Sequence, residues 1–154
     1  MRISKGKPVF GRGETFSLDD TLAPIIASGI KRFKQVITDN PYGGFPISMF
    51  EEMGVEDYNN TTEEQDEQAK QLWHDHLDKM IYAFENYNNE PVYEGEWNWG
   101  ERTETEHGTI RFSNFGPADP EDMEKWETEV RDVFNAKVRE GIDLFAKHFN
   151  NLWW

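Results

Sequence analysis

The chain has 154 residues, a net charge of −14 at neutral pH and no cysteine. That length suits a single domain over residues 1–154, because a chain of this size can bury roughly 70% of its unfolded surface. The lack of cysteine excludes disulfides, thiolate zinc sites and thiol nucleophiles. No stretch approaches the roughly 20 apolar residues of a membrane span, and no secretory signal is recognisable. We therefore expect a cytoplasmic protein with no membrane partner.

The charge is unevenly distributed along the chain. Residues 1–37 contain seven basic and three acidic side chains, or +4, whereas the rest contains nine basic and 27 acidic side chains, or −18. A strongly anionic surface disfavours direct binding to a nucleic-acid backbone. The N-terminal quarter is thus locally cationic within an anionic protein.

The first predicted helix follows a polar N-terminal arm, begins at a Ser17 or Asp19 cap and continues to about Thr38. Pro24 falls in or near its first turn, where proline is tolerated. The inward face has apolar residues at three-and-four spacing: Leu22, Ile25, Ile26, Ile30, Phe33, Val36 and Ile37. The turn at 41–46, PYGGFP, is either a pocket-shaping loop or, more commonly for this composition, a plain connector.

The central predicted helix runs from Glu63 to about Tyr87, after a Thr61 or Thr62 cap and a series of acidic residues that suit a helix N-terminus. Its apolar side shows three-and-four spacing and consists of Leu72, Trp73, Leu77, Met80, Ile81, Phe84 and Tyr87. A stripe this wide must be covered by other elements. The segment 51–67 carries eight carboxylates and no basic residue, which is typical of a solvated surface.

Residues 92–115 predict two strands around a polar turn that Gly100 and Gly108 bracket. Alternation along the first strand places three aromatic rings on one face, where they are expected to cover the helices as a flap. These rings belong to Tyr93, Trp97 and Trp99.

A last helix is predicted from Asp119 or Pro120 to the end of the chain. Its apolar residues keep helical spacing over about thirty positions and are Trp126, Val130, Val133, Phe134, Val138, Ile142, Phe145, Phe149, Leu152 and Trp153. The predicted fold class is therefore mainly α (α+β), with three principal helices packed as a bundle and a β-hairpin or small antiparallel sheet.

The histidine-rich part of the central helix is the only local cluster of side chains that could bind a metal. His74 and Asp78 share a helix face, but His76 lies about 200° round from His74, which does not match the histidine pair of helical zinc sites. A further ligand would have to come from His107 or His148. We therefore expect a polar outer face here, with no metal or other cofactor.

The sequence contains no glycine-rich phosphate loop, nucleophile elbow or dinucleotide fingerprint. Enzymatic activity is unsupported, and a non-enzymatic role is favoured. Three carboxylates adjoin apolar core positions and define a candidate polar site: Asp19, Asp78 and Glu85. A salt bridge or a helix cap is the commoner role of each.

Two groups of cations indicate a candidate anion site. Lys31, Arg32 and Lys34 lie on the outer face of the first helix, and Arg139, Lys147 and His148 lie on the last. If these faces meet near the aromatic strand, they form a pocket that binds phosphates and stacks a ring. The commoner alternative is that the cations neutralise acidic surface of the same protein.

Four stretches carry a resemblance that spans most of the chain in the correct order and covers about half of its positions. They are SLDDTLAPIIASGIKRFK at 17–34, GGFP at 43–46, WHDHLDKMIYAFE at 73–85 and GIDLFAKHFNNLWW at 141–154. Together they resemble a family of small, largely uncharacterised bacteriophage proteins with LD-x-TLA, Gly-x-Pro, LDxMIxAF and closing LFxK motifs. This chain departs from that pattern at Phe16, where a tryptophan is usual, and in its short segment ahead of the first motif.

The resemblance implies a viral origin and a location in the host cytoplasm, and it transfers no catalytic residue. We expect a non-enzymatic binding protein that counters host antiviral defence by sequestering a nucleotide signal. The expected ligand-binding residues are Lys31, Arg32, Lys34, Trp97, Trp99, Arg139, Lys147, Trp153 and Trp154. One alternative is an acidic mimic of nucleic acid that inhibits a basic host protein, and another is a metal-dependent hydrolase. The tryptophan pair at the C-terminus is expected either to support a homo-oligomer or to close the core.

Overall fold

A computed structural model describes residues 2–4, 7–11, 15, 17–40, 43–104, 108 and 110–152. These residues are mainly helical and include two small antiparallel hairpins, so the predicted mainly α (α+β) class is confirmed. The chain divides into two compact units, 1–89 with 137–154, and 90–136. The expectation of a single domain stays a prediction. Within the described residues, none of the helices is long and apolar enough to cross a membrane.

Eleven elements follow one another in the part of the chain that the structure describes. The strands are β1 (Arg2–Ser4), β2 (Lys7–Val9), β3 (Trp97–Glu104) and β4 (Ile110–Pro117). The α-helices are α1 (Leu18–Asp39), α2 (Ser48–Glu52), α3 (Glu63–Glu85), α4 (Pro120–Trp126) and α5 (Asp132–His148). A π-helical turn (Glu127–Arg131) joins α4 to α5, and a 3₁₀ turn (Phe149–Asn151) follows α5. The three long predicted helical segments are therefore present, and β1, β2 and α2 are additions to the sequence prediction.

In the first unit, α3 begins where a capping box predicts a helix N-terminus. The Thr62 hydroxyl accepts a hydrogen bond from the Gln65 backbone N–H at 3.2 Å, and the Gln65 side chain accepts one from the Thr62 N–H at 2.9 Å. This pair satisfies two backbone donors that a helix start otherwise leaves open. The cap is therefore Thr62 of the two predicted threonines.

The core of the first unit lies along the apolar stripe of α3. Its buried members come from α1, α2 and α3 and are Ile30, Ile37, Met49, Phe50, Ala69, Trp73, Leu77 and Met80. Phe33 of α1 meets the Trp73 ring edge to face, with ring centroids 6.3 Å apart. One predicted inward residue, Ile25, is instead 39% exposed, and Pro24 lies inside α1 beyond its first turn. The helix starts after Ser17, one of the two predicted caps, so the expectation that was wrong is the position of Pro24 in or near the first turn.

A glycine sets the close crossing of α5 over α3. A Cβ atom placed on Gly141 would lie 2.2 Å from the Lys79 carbonyl oxygen and 2.5 Å from the Ala83 Cβ. Further along the same interface, the Phe84 and Phe145 rings pack edge to face at 4.9 Å. Only a residue without a side chain allows this backbone approach.

The second unit contains the β3–β4 hairpin and the start of the last helical segment. Its register pairs Trp97 with Pro117 and Trp99 with Phe115. The first strand begins at Trp97 rather than near residue 92, and Gly100 lies within the strand rather than at the turn, which corrects both predicted positions. Gly100 keeps a positive φ of 70° there, a conformation that glycine adopts without steric cost.

Asp119 caps α4, as predicted. Its side chain accepts hydrogen bonds from the backbone N–H groups of Glu121 and Asp122 at 3.0 and 3.1 Å. The Tyr93 hydroxyl donates to the Asp122 carboxylate at 2.8 Å, and the Tyr93 ring packs against Trp126 at 5.6 Å. Tyr93 therefore braces the start of the helix and is not part of the aromatic strand face.

Candidate functional site

A pocket of about 500 Å³ lies in the first unit, beside the C-terminal half of α1. Three of its wall residues are aromatic, and none of the described residues that line it is ionisable. The lining consists of Phe33, Ile37, Gly44, Phe45, Pro46, Ile47, Ser48, Trp73 and Asn151. This volume falls within the range of roughly 300–1,000 Å³ that small-molecule sites occupy.

The glycine-proline turn shapes this pocket, which favours the pocket-forming interpretation of that segment over a plain connector. The Gly43 N–H donates to the Asn40 carbonyl oxygen at 2.8 Å. A Cβ atom on Gly43 would lie only 1.9 Å from the Ile37 carbonyl oxygen, so the chain can fold back this sharply only at glycine. The reversal brings Phe45 against Phe50, with ring centroids 5.2 Å apart.

Two polar side chains reach the pocket wall. The Asn151 Nδ2 donates to the Ser48 Oγ at 3.3 Å, and it lies 3.3 Å from the Nδ1 of His148. A hydroxyl and an amide in an apolar wall are the kind of sparse polar groups that orient a bound ligand. Through Asn151 they are also connected to the histidine behind the wall.

A cluster formed by Glu52, His76 and His148 lies next to Trp73, and we call it the histidine–glutamate cluster. Its members come from the C-terminal ends of α2 and α5 and from the middle of α3. His76 is 6% exposed and His148 is 1% exposed. The two imidazole rings are 5.3 Å apart, and the Trp73 ring packs edge to face on His148 at 5.6 Å.

The Glu52 carboxylate bridges the Nε2 atoms of the two rings. Its Oε1 is 3.1 Å from the Nε2 of His148, and its Oε2 is 3.6 Å from the Nε2 of His76. The Nζ of Lys147 also contacts Oε1, at 2.7 Å, and the Glu52 side chain is 22% exposed. Solvent therefore reaches the carboxylate while both histidines are buried.

Burial sets the protonation of the cluster. It lowers the pKa of His76 and of His148 below the ordinary value for imidazole, so both rings are neutral at pH 7 and each has one nitrogen lone pair. For Glu52, burial raises the pKa, but the hydrogen bond from Lys147 and the nearby positive charge lower it, and the net direction is downward. Glu52 is therefore a carboxylate at neutral pH.

Most of the cations predicted to bind phosphate pair with acidic residues of the same unit. Lys31 forms an ion pair with Glu85, and the Nζ of Lys34 lies 2.5 Å from the Asp78 Oδ1. Lys147 pairs with Glu52. The structure thus joins Lys31 and Lys34 to two of the carboxylates predicted for a polar site. These contacts favour the alternative in which the cations neutralise the protein's own acidic surface.

The other predicted residues of the first unit are scattered. Arg32 donates to the Gln35 side chain at 2.9 Å, and Asp19 accepts a long hydrogen bond from the Tyr87 hydroxyl at 3.4 Å. Arg139 is exposed on α5, and no ion pair joins it to another described residue. These three side chains do not meet at a common site.

The predicted aromatic ligand residues that are described lie in the second unit. Trp99 is 72% exposed and contacts the Phe115 ring at 5.9 Å. Trp97 packs on the same ring at 5.6 Å, and its buried Nε1 has no hydrogen-bond partner among the described residues. Trp153 and Trp154 lie outside the described residues. The flap over the helices stays a prediction.

No family model matches the chain, and neither a curated protein nor a solved structure matches it significantly. Function must therefore be inferred from the geometry of the pocket and of the histidine–glutamate cluster.

The histidine–glutamate cluster was not predicted from the sequence, although the position of His76 in the sequence indicates that this residue is buried. His76 lies three residues after Trp73 and four before Met80, so it belongs to the apolar stripe of α3. The predicted polar outer face is therefore wrong for His76, which is buried, and it holds for the exposed Asp78. A histidine in phase with a core stripe is the feature that indicates such a cluster.

Proposed function

We propose that this chain is a non-enzymatic phage protein that binds a small ligand with a planar ring and thereby counters host antiviral defence. The ligand class that suits this role is a nucleotide signalling molecule. The observation that carries the proposal is the aromatic pocket beside the glycine-proline turn. The viral role depends on the resemblance described above.

The proposed binding mode places the base inside the pocket. The rings of Phe33, Phe45 and Trp73 line it, and stacking on an aromatic ring contributes about 1–3 kcal/mol per base. Ser48 and Asn151 offer a hydroxyl and an amide to the edge of the base. The phosphates then extend towards solvent, because the described lining residues include no cation and the predicted lysines already have carboxylate partners.

Thermal shift against a panel of linear and cyclic nucleotides tests the proposal. A ligand at a hundred times its dissociation constant stabilises the folded state by about 2.7 kcal/mol. The matched variants are Ile47→Ser and Ile25→Ser, since both side chains are partly exposed, at 57% and 39%, and only Ile47 lines the pocket. We expect the first substitution to weaken the shift and the second to leave it unchanged.

Two results would contradict this proposal. One is the absence of a shift with every nucleotide in the panel. The other is a shift that the Ile47 and Ile25 variants reduce equally, which would place the ligand elsewhere on the protein.

A second candidate function is mimicry of nucleic acid by the acidic segment 51–67, and a specific observation favours it. Seven of the eight acidic residues of this segment are exposed and form no ion pair with another described residue, whereas the Glu52 side chain is 22% exposed and pairs with Lys147. The segment therefore presents seven uncompensated negative charges to a partner. A basic host protein with a nucleic-acid groove is the partner that this charge suits.

Competition distinguishes mimicry from ligand binding. A host nucleic-acid-binding protein captured by the phage protein should be released by duplex DNA and by raised salt. A triple variant with glutamine at Glu56, Glu64 and Glu67 should lose capture. The matched triple variant Glu94→Gln, Glu101→Gln and Glu104→Gln removes the same amount of negative charge. It should retain capture, because these residues lie outside the acidic segment. Mimicry by this segment would be contradicted if duplex DNA did not release the captured protein, or if both triple variants lost capture.

A further inference from the structure

We propose that Glu52, His76 and His148 form a binding site for a divalent transition-metal ion, with Zn²⁺ as the best-suited probe. The site would hold the ion through two imidazole nitrogens and one carboxylate. This inference does not depend on the ligand proposed for the pocket. The sequence expectation weighed His76 and His148 as metal ligands but favoured no metal, and it did not include Glu52.

The spacing of the ligand atoms suits such an ion. Zn²⁺ bound about 2.0–2.2 Å from each ligand holds tetrahedral ligand atoms about 3.3–3.6 Å apart. The two Glu52 oxygens lie 3.1 Å from the Nε2 of His148 and 3.6 Å from the Nε2 of His76. All the ligand atoms of the cluster lie within 4.8 Å of one another, so small side-chain rotations complete the set.

The hydrogen bonding of the two histidines points to a missing partner. Although the Nε2 of His148 is close to Glu52, it makes no aligned hydrogen bond with any described residue, and neither does the Nδ1 of His76. Buried polar atoms are nearly always satisfied, so two such atoms on adjoining rings need an explanation. A cation between the rings and the carboxylate would use the Nε2 lone pair of His148 directly, and it would bind His76 through Nε2, so it accounts for the first of the two atoms only.

Asn151 can support a metal-bound His148. Its amide lies 3.3 Å from the Nδ1 of His148. Binding through Nε2 requires a proton on Nδ1, and an acceptor for that proton fixes the ring orientation. Rotation of the Asn151 amide by 180° places its oxygen against Nδ1 without a change in shape.

The donor set and its exposure define the metal class. Two neutral imidazoles and one carboxylate favour Zn²⁺ and its neighbours in the first transition row over Mg²⁺ or Ca²⁺, which prefer oxygen ligands. Three protein ligands leave at least one position for water, and solvent reaches Glu52. The metal-dependent hydrolase alternative would require this open position.

Lys147 acts as a competitor for the ion. Its ammonium group contacts the same Glu52 oxygen that lies nearest to His148, and its side chain is 56% exposed, so it can move into solvent when a cation binds. Replacing it removes a positive charge from the site. The variant Lys147→Met should therefore bind Zn²⁺ at least as tightly as the unsubstituted protein.

Isothermal titration of Zn²⁺ into the EDTA-treated full-length chain tests the proposal. We expect one site per chain, with affinity reduced at least about 100-fold by Glu52→Gln, because even the loss of a supporting residue outside the ligand set costs 10–100-fold. His76→Gln should have the same effect. The controls Glu51→Gln and His74→Gln make the same chemical changes on the same helices and should keep the affinity.

Circular dichroism and Co²⁺ absorption distinguish loss of metal binding from loss of folding. Glu52→Gln is nearly isosteric at a partly exposed position, so its circular dichroism should remain native even if a histidine variant unfolds. The Co²⁺-loaded protein should show the visible absorption of a low-coordinate site, and Glu52→Gln should lose it. Absence of Zn²⁺ binding to the unsubstituted chain, or equal binding by Glu52→Gln and Glu51→Gln, would overturn the proposal.

Discussion

Replacing Gly141 with alanine should destabilise the first unit, although alanine is the better helix former. The added Cβ would lie 2.2 Å from the Lys79 carbonyl oxygen and 2.5 Å from the Ala83 Cβ. Ordinary contacts of this kind are 3.4 Å or longer, so α3 and α5 must separate locally by about 1 Å. The obstructing atoms belong to a helix backbone and a packed side chain, which cannot rotate away.

The magnitude follows from two opposing terms. Overpacking of a close-packed interface costs about 1–3 kcal/mol, and a rigid backbone contact places this site near the upper value. Alanine recovers about 1 kcal/mol of helix propensity over glycine. The expected net loss is therefore about 2 kcal/mol in the free energy of unfolding. For a chain of about 150 residues that corresponds to a decrease in Tm of about 4–8 °C.

Gly29→Ala provides the matched control. Gly29 lies inside α1, and a Cβ atom added there meets no atom within 4 Å. Only the propensity term applies, so this variant should gain up to about 1 kcal/mol. Urea unfolding followed by circular dichroism compares the two midpoints. If Gly141→Ala is as stable as the unsubstituted protein, or if both variants shift the midpoint in the same direction, the close crossing of α3 and α5 is refuted.

Three further predictions concern local features of the first unit. Thr62→Ala removes the side-chain acceptor of the α3 capping box and should lower the free energy of unfolding by about 1 kcal/mol in a urea titration; no change would mean that the box is not formed. Gly43→Ala forces the pocket turn open against a backbone oxygen 1.9 Å away and should cost about 1–3 kcal/mol in the same assay. Gly44→Ala, which meets no atom within 4 Å, should stay within about 0.5 kcal/mol of the unsubstituted protein, and equal losses for the two glycines would contradict the turn geometry. A double-mutant cycle on Lys34 and Asp78 should give a coupling free energy of about 0.2–1 kcal/mol that decreases with salt. Zero coupling at low salt would show that this ion pair does not form.

Short-range sequence features, namely caps and apolar periodicity, were sufficient to predict the long helical segments. The threonine before α3 and the aspartate before α4 each have a side-chain oxygen that bonds the first free backbone N–H groups, and such bonds form between residues two or three positions apart. The apolar stripes likewise depend only on helical periodicity. The hairpin was located correctly as an element, but its first strand begins later than expected, because Tyr93 packs on Trp126 instead of pairing with a strand.

The partners in the ion pairs between α1 and α3 could not be predicted from the sequence. Lys31 and Glu85 are 54 positions apart, and Lys34 and Asp78 are 44 apart. Each lysine and each carboxylate was recognisable as a candidate functional residue. Their partners depend on the alignment of α1 with α3, and nothing in either segment alone determines that alignment.

The sequence by itself determined the mainly helical class, the extent of the long helices and the anionic surface, because each depends on residues close together in the chain or on composition. Only the tertiary structure decided which sites those helices form together. The pocket requires the turn at Gly43 to place Phe45 in the same wall as Trp73, and the histidine–glutamate cluster requires the ends of α2 and α5 to meet the middle of α3. Contacts between distant segments arise from the packing of whole helices, in which a single glycine can set how closely two backbones approach.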